Sequence, residues 1–124
     1  MALQQDPRNG IYYDWDQGAS FKTEQDQNLR KIGSILNVSA IDFTATPPGS
    51  PSDGDTHIVA ATGATGDFVG QENNIAIWFN DDSQWRFFTP TTGLTAFITT
   101  GTFANQLVAY NGTSWSTNGF TFTF

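Results

Sequence analysis

The chain of 124 residues carries twelve acidic and five basic side chains, one histidine and no cysteine, for a formal net charge of −7. That balance excludes a protein that neutralises nucleic-acid phosphates, and the missing thiols exclude disulfides, thiolate metal sites and a cysteine nucleophile. Aromatic residues reach 15% while charged residues stop at 14%, the reverse of a disordered composition, so the chain is read as one that folds, alone or with partners. No basic, apolar leader and no apolar run of about 18 residues is found, so neither a signal peptide nor a membrane span is expected. Synthesis in a reducing cytoplasm fits the absence of cysteine.

The first nineteen residues show no sustained period. Asp6-Pro7 and Asn9-Gly10 are turn signals, and a dense cluster, Ile11-Tyr12-Tyr13-Asp14-Trp15, follows them. An aromatic arm of this kind is expected to dock on something already folded. A helix is predicted over residues 24–37, with Thr23 and Asp26 as a capping box. Its apolar stripe is Leu29, Ile32, Ile35 and Leu36. Gly33 beside the stripe suggests close approach by another backbone. That neighbour is either the protein's own sheet, the plainer expectation, or a symmetry-related helix.

Three prolines and two glycines between Thr44 and Gly54 cannot continue a regular element, so the chain is divided there. Residues 1–46 form an arm and helix for attachment or oligomerisation, and residues 47–124 form a β-rich domain. Strands are expected at Thr56–Ala61, Ile75–Phe79, Gln84–Phe88, Leu94–Thr99 and Gln106–Tyr110. Asn111-Gly112 is the strongest short hairpin signal in the chain, and Phe120-Thr-Phe122-Thr-Phe124 reads as a strict period-two strand. The fold class is mainly β: a small antiparallel β-sandwich or barrel-like domain preceded by the arm and one short helix. A faint internal echo is present, because Trp78 and Trp85 flank one turn as Tyr110 and Trp115 flank another.

Candidate chemistry is thin. His57 alternates with apolar residues on a strand and has no partner motif, so an ordinary strand histidine is expected. Asp53-Gly54-Asp55 and Asp81-Asp82 lack the spacing of a calcium loop and read as turns. The glycine-rich stretch from Gly63 to Gly70 lacks the lysine of a phosphate loop. No catalytic, cofactor-binding or metal-binding residue is assigned, no cofactor is expected, and the protein is read as a non-enzyme; an enzyme acting on polysaccharide is the alternative. Trp78, Trp85, Tyr110 and Trp115 are expected to be half-buried sheet aromatics, with stacking on a host-surface glycan as the competing reading. Assembly contacts are assigned to Tyr12, Tyr13, Trp15, Leu29, Ile32, Phe120, Phe122 and Phe124. A terminal strand with three phenylalanines on one side invites association.

From Asn28 to about Trp115 the landmarks run in order: Leu29-Arg-Lys, Gly33, Ile35-Leu36, Pro47-Pro48, Pro51, Asp53-Gly54-Asp55, Ile58-Val59, Gly63-Ala-Thr-Gly66, Gly70, Ile75-Ala-Ile-Trp78, Trp85-Arg-Phe87, Pro90, Gly93, Leu107, Tyr110-Asn-Gly112 and Trp115. This pattern resembles an uncharacterised domain family found among bacteriophage and prophage structural genes, beside tail-fibre and baseplate components. The resemblance implies a virion structural protein, tail or baseplate favoured, with no catalytic residues to carry over. A fibre or adaptor subunit is the expected role. A receptor- or carbohydrate-binding module, a head fibre and a capsid decoration protein are the alternatives. Expected partners are copies of itself, a homotrimer favoured because fibres are commonly trimeric, and other tail or baseplate proteins. Neither nucleic acid nor membrane is an expected partner.

Overall fold

The computed structural model describes residues 4–13, 21–117 and 120–124. The chain divides into two compact units, Met1–Asn37 and Val38–Phe124.

In the first unit, β1 (Gln4–Gln5) pairs antiparallel with β2 (Tyr12–Tyr13). Asp6 closes the turn between them, its carboxylate accepting the backbone N–H groups of Arg8, Asn9 and Ile11. Those bonds hold the Asp6 carboxyl below the usual carboxylate range, those from Asn9 and Ile11 contributing most. Helix α1 spans Phe21–Ile35. It begins earlier than the sequence suggests, so Thr23 lies inside the helix rather than capping it. Lys22 and Asp26 form an exposed i,i+4 ion pair at 2.7 Å instead. Asn28 ties the helix to β2, accepting the Tyr12 N–H at 2.8 Å and donating to the Tyr12 carbonyl at 2.9 Å.

The second unit begins with β3 (Ser39–Ala40) and β4 (Phe43–Thr44), both on the helix side of the proline-rich segment. The division therefore falls before Val38 and not at residues 46–47. The physical reason is pairing: β3 and β4 are bonded into sheets built from strands that come after the prolines. The remaining strands are β5 (Thr56–Val59), β6 (Ile75–Phe79), β7 (Gln84–Phe88), β8 (Thr95–Ile98), β9 (Gln106–Ala109) and β10 (Phe120–Thr121). One sheet has the order β4-β5-β6-β7 and the other β10-β9-β8-β3. Pairing is antiparallel except for β4 with β5 and β3 with β8, which are parallel. The unit is a small β-sandwich, and neither sheet closes into a barrel. The period-two run at the C-terminus forms only two paired ladder residues, with the Phe122 N–H reaching the Asn105 carbonyl as a third bond.

The echo between the hairpins extends through a whole repeated motif. In each copy a short strand from residues 39–44 runs parallel to a longer one, β5 or β8. A Thr-Gly-x-Phe 3-10 turn follows, at Gly66–Phe68 and Gly101–Phe103. Each turn opens on a glycine with positive φ, +56° at Gly66 and +81° at Gly101, where a side chain would be strained. Each closes near an asparagine in the left-handed region, Asn73 two residues before β6 or Asn105 immediately before β9. Backbone bonds repeat as well: Ala60 to Thr44 and Thr65 to Ala45 in one copy match Thr99 to Ala40 and Thr100 to Ile41 in the other. The hairpin partners then correspond, Trp78 opposite Trp85 and Tyr110 opposite Trp115.

The buried residues follow the same equivalence. Val59, Phe68, Ala76 and Trp85 form one cluster. Their counterparts Ile98, Phe103, Val108 and Trp115 belong to the central core. There they meet Ile58, Ile75 and Ile77, which point from the opposite face of the first copy's sheet. The Trp115 indole N–H seals that contact by donating to the Asn73 carbonyl at 2.8 Å. The first copy closes its outer face with the longer loop between β5 and β6. That loop drops Phe68 edge-on against Trp85 and Phe87, with ring centroids 5.3 and 5.7 Å apart.

Phe68→Ala empties a fully buried site and is expected to cost about 3–5 kcal/mol. Phe103→Ala, at a half-buried site, is expected to cost less; urea unfolding midpoints with unchanged m-values check both. For Asp6 the folded pKa lies below the unfolded one, so its contribution is present above the unfolded value and lost as pH falls through the folded one. The Asn9 and Ile11 amides are expected to lose hydrogen-exchange protection only below about pH 4, and in Asp6→Asn at every pH.

Candidate functional site

The described residues present two sets of large apolar side chains to solvent. The first lies on α1 and on Leu36, the residue that follows it. Leu29, Ile32 and Leu36, at 58%, 43% and 79% exposure, follow the 3-4 spacing of a helix–helix seam. The helix is inverted relative to the plainer expectation, because its buried residues include Asn28 and Ser34. Asn28 is occupied by Tyr12, and the Ser34 hydroxyl donates to the Arg30 carbonyl at 2.6 Å. A polar face is thus satisfied inward while the apolar stripe stays uncovered. Ile35, the fourth stripe residue, is half-buried, and a Cβ on Gly33 would meet nothing within 4 Å. Of the arm residues assigned to contacts, Tyr12 is half-buried and Tyr13 exposed; Trp15 lies outside the described residues.

The second set lies on the β10-β9-β8-β3 sheet. Ladder positions Ser39, Phe97, Leu107 and Phe120 form one row across it. Ala40, Ala96, Ile98 and Val108 point the other way, into the core. Phe122 and Phe124 extend the row and fold toward Phe97, with ring centroids 6.1 and 6.3 Å from it. Phe120 remains 67% exposed and Phe124 91%. Every charged side chain of the protein lies before residue 87, so the whole segment 87–124 carries none. In a chain of net charge −7, this sheet is the electrically neutral part.

The aromatic residues named for glycan stacking are placed differently from one another. Trp85 and Trp115 are each only 7% exposed, too buried to offer a ring face. Trp78 and Tyr110 are half-buried, and the Trp78 indole N–H is taken by the Asn80 side chain at 2.7 Å. Each pairs with its tryptophan across the hairpin, at 5.5 and 5.4 Å. A shallow depression of about 370 Å³ beside Trp85 is lined by Asp67, Ser83, Gln84 and Phe87.

His57 is a buried strand residue. Its Nδ1 lies 2.6 Å from Asp42 Oδ1, and its ring meets Trp85 edge-on at 5.7 Å. Its Nε2 is buried without a hydrogen-bond partner. Sequence reasoning missed the Asp42 partner because fifteen residues separate the pair. Asp53 and Asp55 serve turns: Asp53 accepts the Asn80 N–H and Asp55 the Ser52 N–H. Asp82 pairs with Arg86. Among the described residues no group of three or more His, Cys, Asp or Glu side chains is placed to hold a metal, and no helix is long and apolar enough to cross a membrane.

No curated protein matches the chain. The family described as "Protein of unknown function (DUF2793)" matches residues 25–116. The match starts within α1, runs through both copies of the β motif and ends one residue after Trp115, leaving the aromatic arm and β10 outside it. Since it spans well over half of the sequence, the chain belongs to this family.

Proposed function

We propose that the protein is a structural subunit of a bacteriophage particle, a tail-fibre or baseplate-associated adaptor, rather than an enzyme. In this reading it is made in the host cytoplasm and resides in the virion. It assembles with copies of itself, as a trimer, and with other tail or baseplate proteins. The observation that carries the reading is the pair of uncovered apolar surfaces, one on each unit, in a chain otherwise rich in acids. Monomeric proteins rarely leave contiguous apolar surface of this kind open. The ordered run of Gly, Pro and Trp landmarks, with its likeness to phage structural genes, supplies the setting.

A head fibre or capsid decoration protein would use the same surfaces. Carbohydrate recognition is the competing function, favoured by one observation, the depression beside Trp85 with its Asp67, Ser83 and Gln84 lining. Asp67→Ala combined with Gln84→Ala, both exposed lining positions, would then abolish saturable glycan binding while leaving particle assembly unchanged.

The adaptor reading is tested on assembled particles. Leu29→Lys combined with Leu36→Lys changes only exposed positions, so the isolated protein is expected to keep its stability. Its incorporation into particles, measured by mass spectrometry of purified virions, is expected to fall about tenfold to a hundredfold, the range given by losing one to two buried leucine contacts. Normal incorporation of this variant, and of one lacking residues 1–19, would overturn attachment through the first unit.

A further inference from the structure

The repeated motif says what its open face is built to meet. In the first copy, Ile58, Ile75 and Ile77 occupy the ladder positions that Phe97, Leu107 and Ala109 occupy in the second. Phe88 stands beside Ile75 as Phe120 stands beside Leu107. The first copy's face is covered by a sheet of this same chain: Ile58 and Ile75 are fully buried and Ile77 nearly so. The second copy's equivalent residues Phe97, Leu107 and Ala109 are half-buried, with only the C-terminal Phe122 and Phe124 rings against Phe97 among the described residues, and Phe120 and Phe124 stand largely in solvent. The two ends of the stack differ. The first copy seals its outer side with the Phe68 loop, as a terminal repeat does when it caps an array. The second copy ends in an apolar sheet face without a cap.

We infer that the Phe97–Leu107–Phe120–Phe122–Phe124 face is the self-association surface of the protein, and that its occupant is the same face of other copies of this chain. This deepens the reading of the protein as a self-assembling subunit and rests on it. Two observations select a second copy over a different partner. The segment 87–124 contains no charged side chain, so copies of a −7 protein meet there without burying like charges. A nucleic acid or a basic protein would instead call for charge on this face. The area is also of the right order. The exposed parts of Phe120, Phe122 and Phe124, with the edges of Phe97 and Leu107, amount to roughly 500 Å² per copy, taking about 200 Å² for a whole aromatic side chain. Removing that surface from two copies gives about 1,000 Å², the lower bound for a specific interface. Around a symmetry axis each sheet would shelter the phenylalanines of its neighbours with the face opposite to the one that covers Ile58 and Ile75 within the chain.

The test is sedimentation velocity and native mass spectrometry of the full chain across a concentration series, for the wild type, for Phe120→Ser/Phe122→Ser/Phe124→Ser and for Val69→Ser. Val69 is an exposed apolar residue beside the capped end and serves as the control. Fluorescence of the buried Trp85 and Trp115 reports that each variant is folded. The wild type is expected to be oligomeric, the triple variant to dissociate at least about a hundredfold more readily, and Val69→Ser to behave as wild type. Because the chain has no cysteine, Phe122→Cys gives a second readout: it is expected to form crosslinks between copies with a short bis-maleimide, and Val69→Cys is not. An oligomer that survives the triple substitution, or crosslinks at Val69 and not at Phe122, would overturn the face while leaving the self-assembling subunit in place. A monomer at every concentration would overturn both.

Discussion

The β unit depends on one short stretch of backbone. Residues 38–45 supply β3 to one sheet and β4 to the other, crossing between the layers in two residues. The carbonyls of Val38, Ala40 and Ile41 accept N–H groups of Phe97, Thr99 and Thr100; those of Asp42, Thr44 and Ala45 accept N–H groups of Ile58, Ala60 and Thr65. Among the described residues no other segment is bonded in this way to both copies of the motif. Parallel pairs two residues long are weak by themselves. Here they hold because Ala40 is buried, Phe43 packs into the core and the Asp42 carboxylate is bonded to His57. The histidine is thereby accounted for as a buried strand residue whose ring anchors the crossing.

Tying both copies to one segment fixes their stacking, and the stacking determines which apolar faces are satisfied. The face with Ile58, Ile75 and Ile77 is covered within the chain, the Phe68 face is covered by its own loop, and the Phe97 face carries the exposed Phe120 and Phe124. Charge follows the same division, since every Asp, Glu, Lys, Arg and His side chain precedes residue 87. Helix α1 is bonded to β2 through Asn28 and leaves Leu29 and Ile32 exposed.

Features encoded locally were legible in the sequence. The Trp78–Trp85 hairpin and the Asn111-Gly112 turn stand where turn chemistry and aromatic spacing place them, because a tight turn depends on only four residues. The exposed C-terminal phenylalanines were also legible, although only Phe120 and Thr121 form ladder pairs. The division of the chain was misplaced, because β3 and β4 are too short to show a period and their partners lie far along the sequence. The helix stripe was found but its outward orientation was not: nothing local reveals that Asn28 is satisfied by Tyr12 sixteen residues earlier. The repeat was visible at the hairpins alone. Its fuller signal, Thr65-Gly66-Asp67-Phe68 matched by Thr100-Gly101-Thr102-Phe103, was present in the sequence and hidden by unequal loop lengths around it.

The crossing segment makes the two copies one cooperative unit, and native-state hydrogen exchange measures that directly. The Ile58, Ala60 and Thr65 amides of the first copy and the Phe97, Thr99 and Thr100 amides of the second should exchange only through global unfolding, with one common free energy and one common denaturant dependence. If either set exchanges at a much lower free energy than the other, the copies open independently and the crossing segment does not unite them.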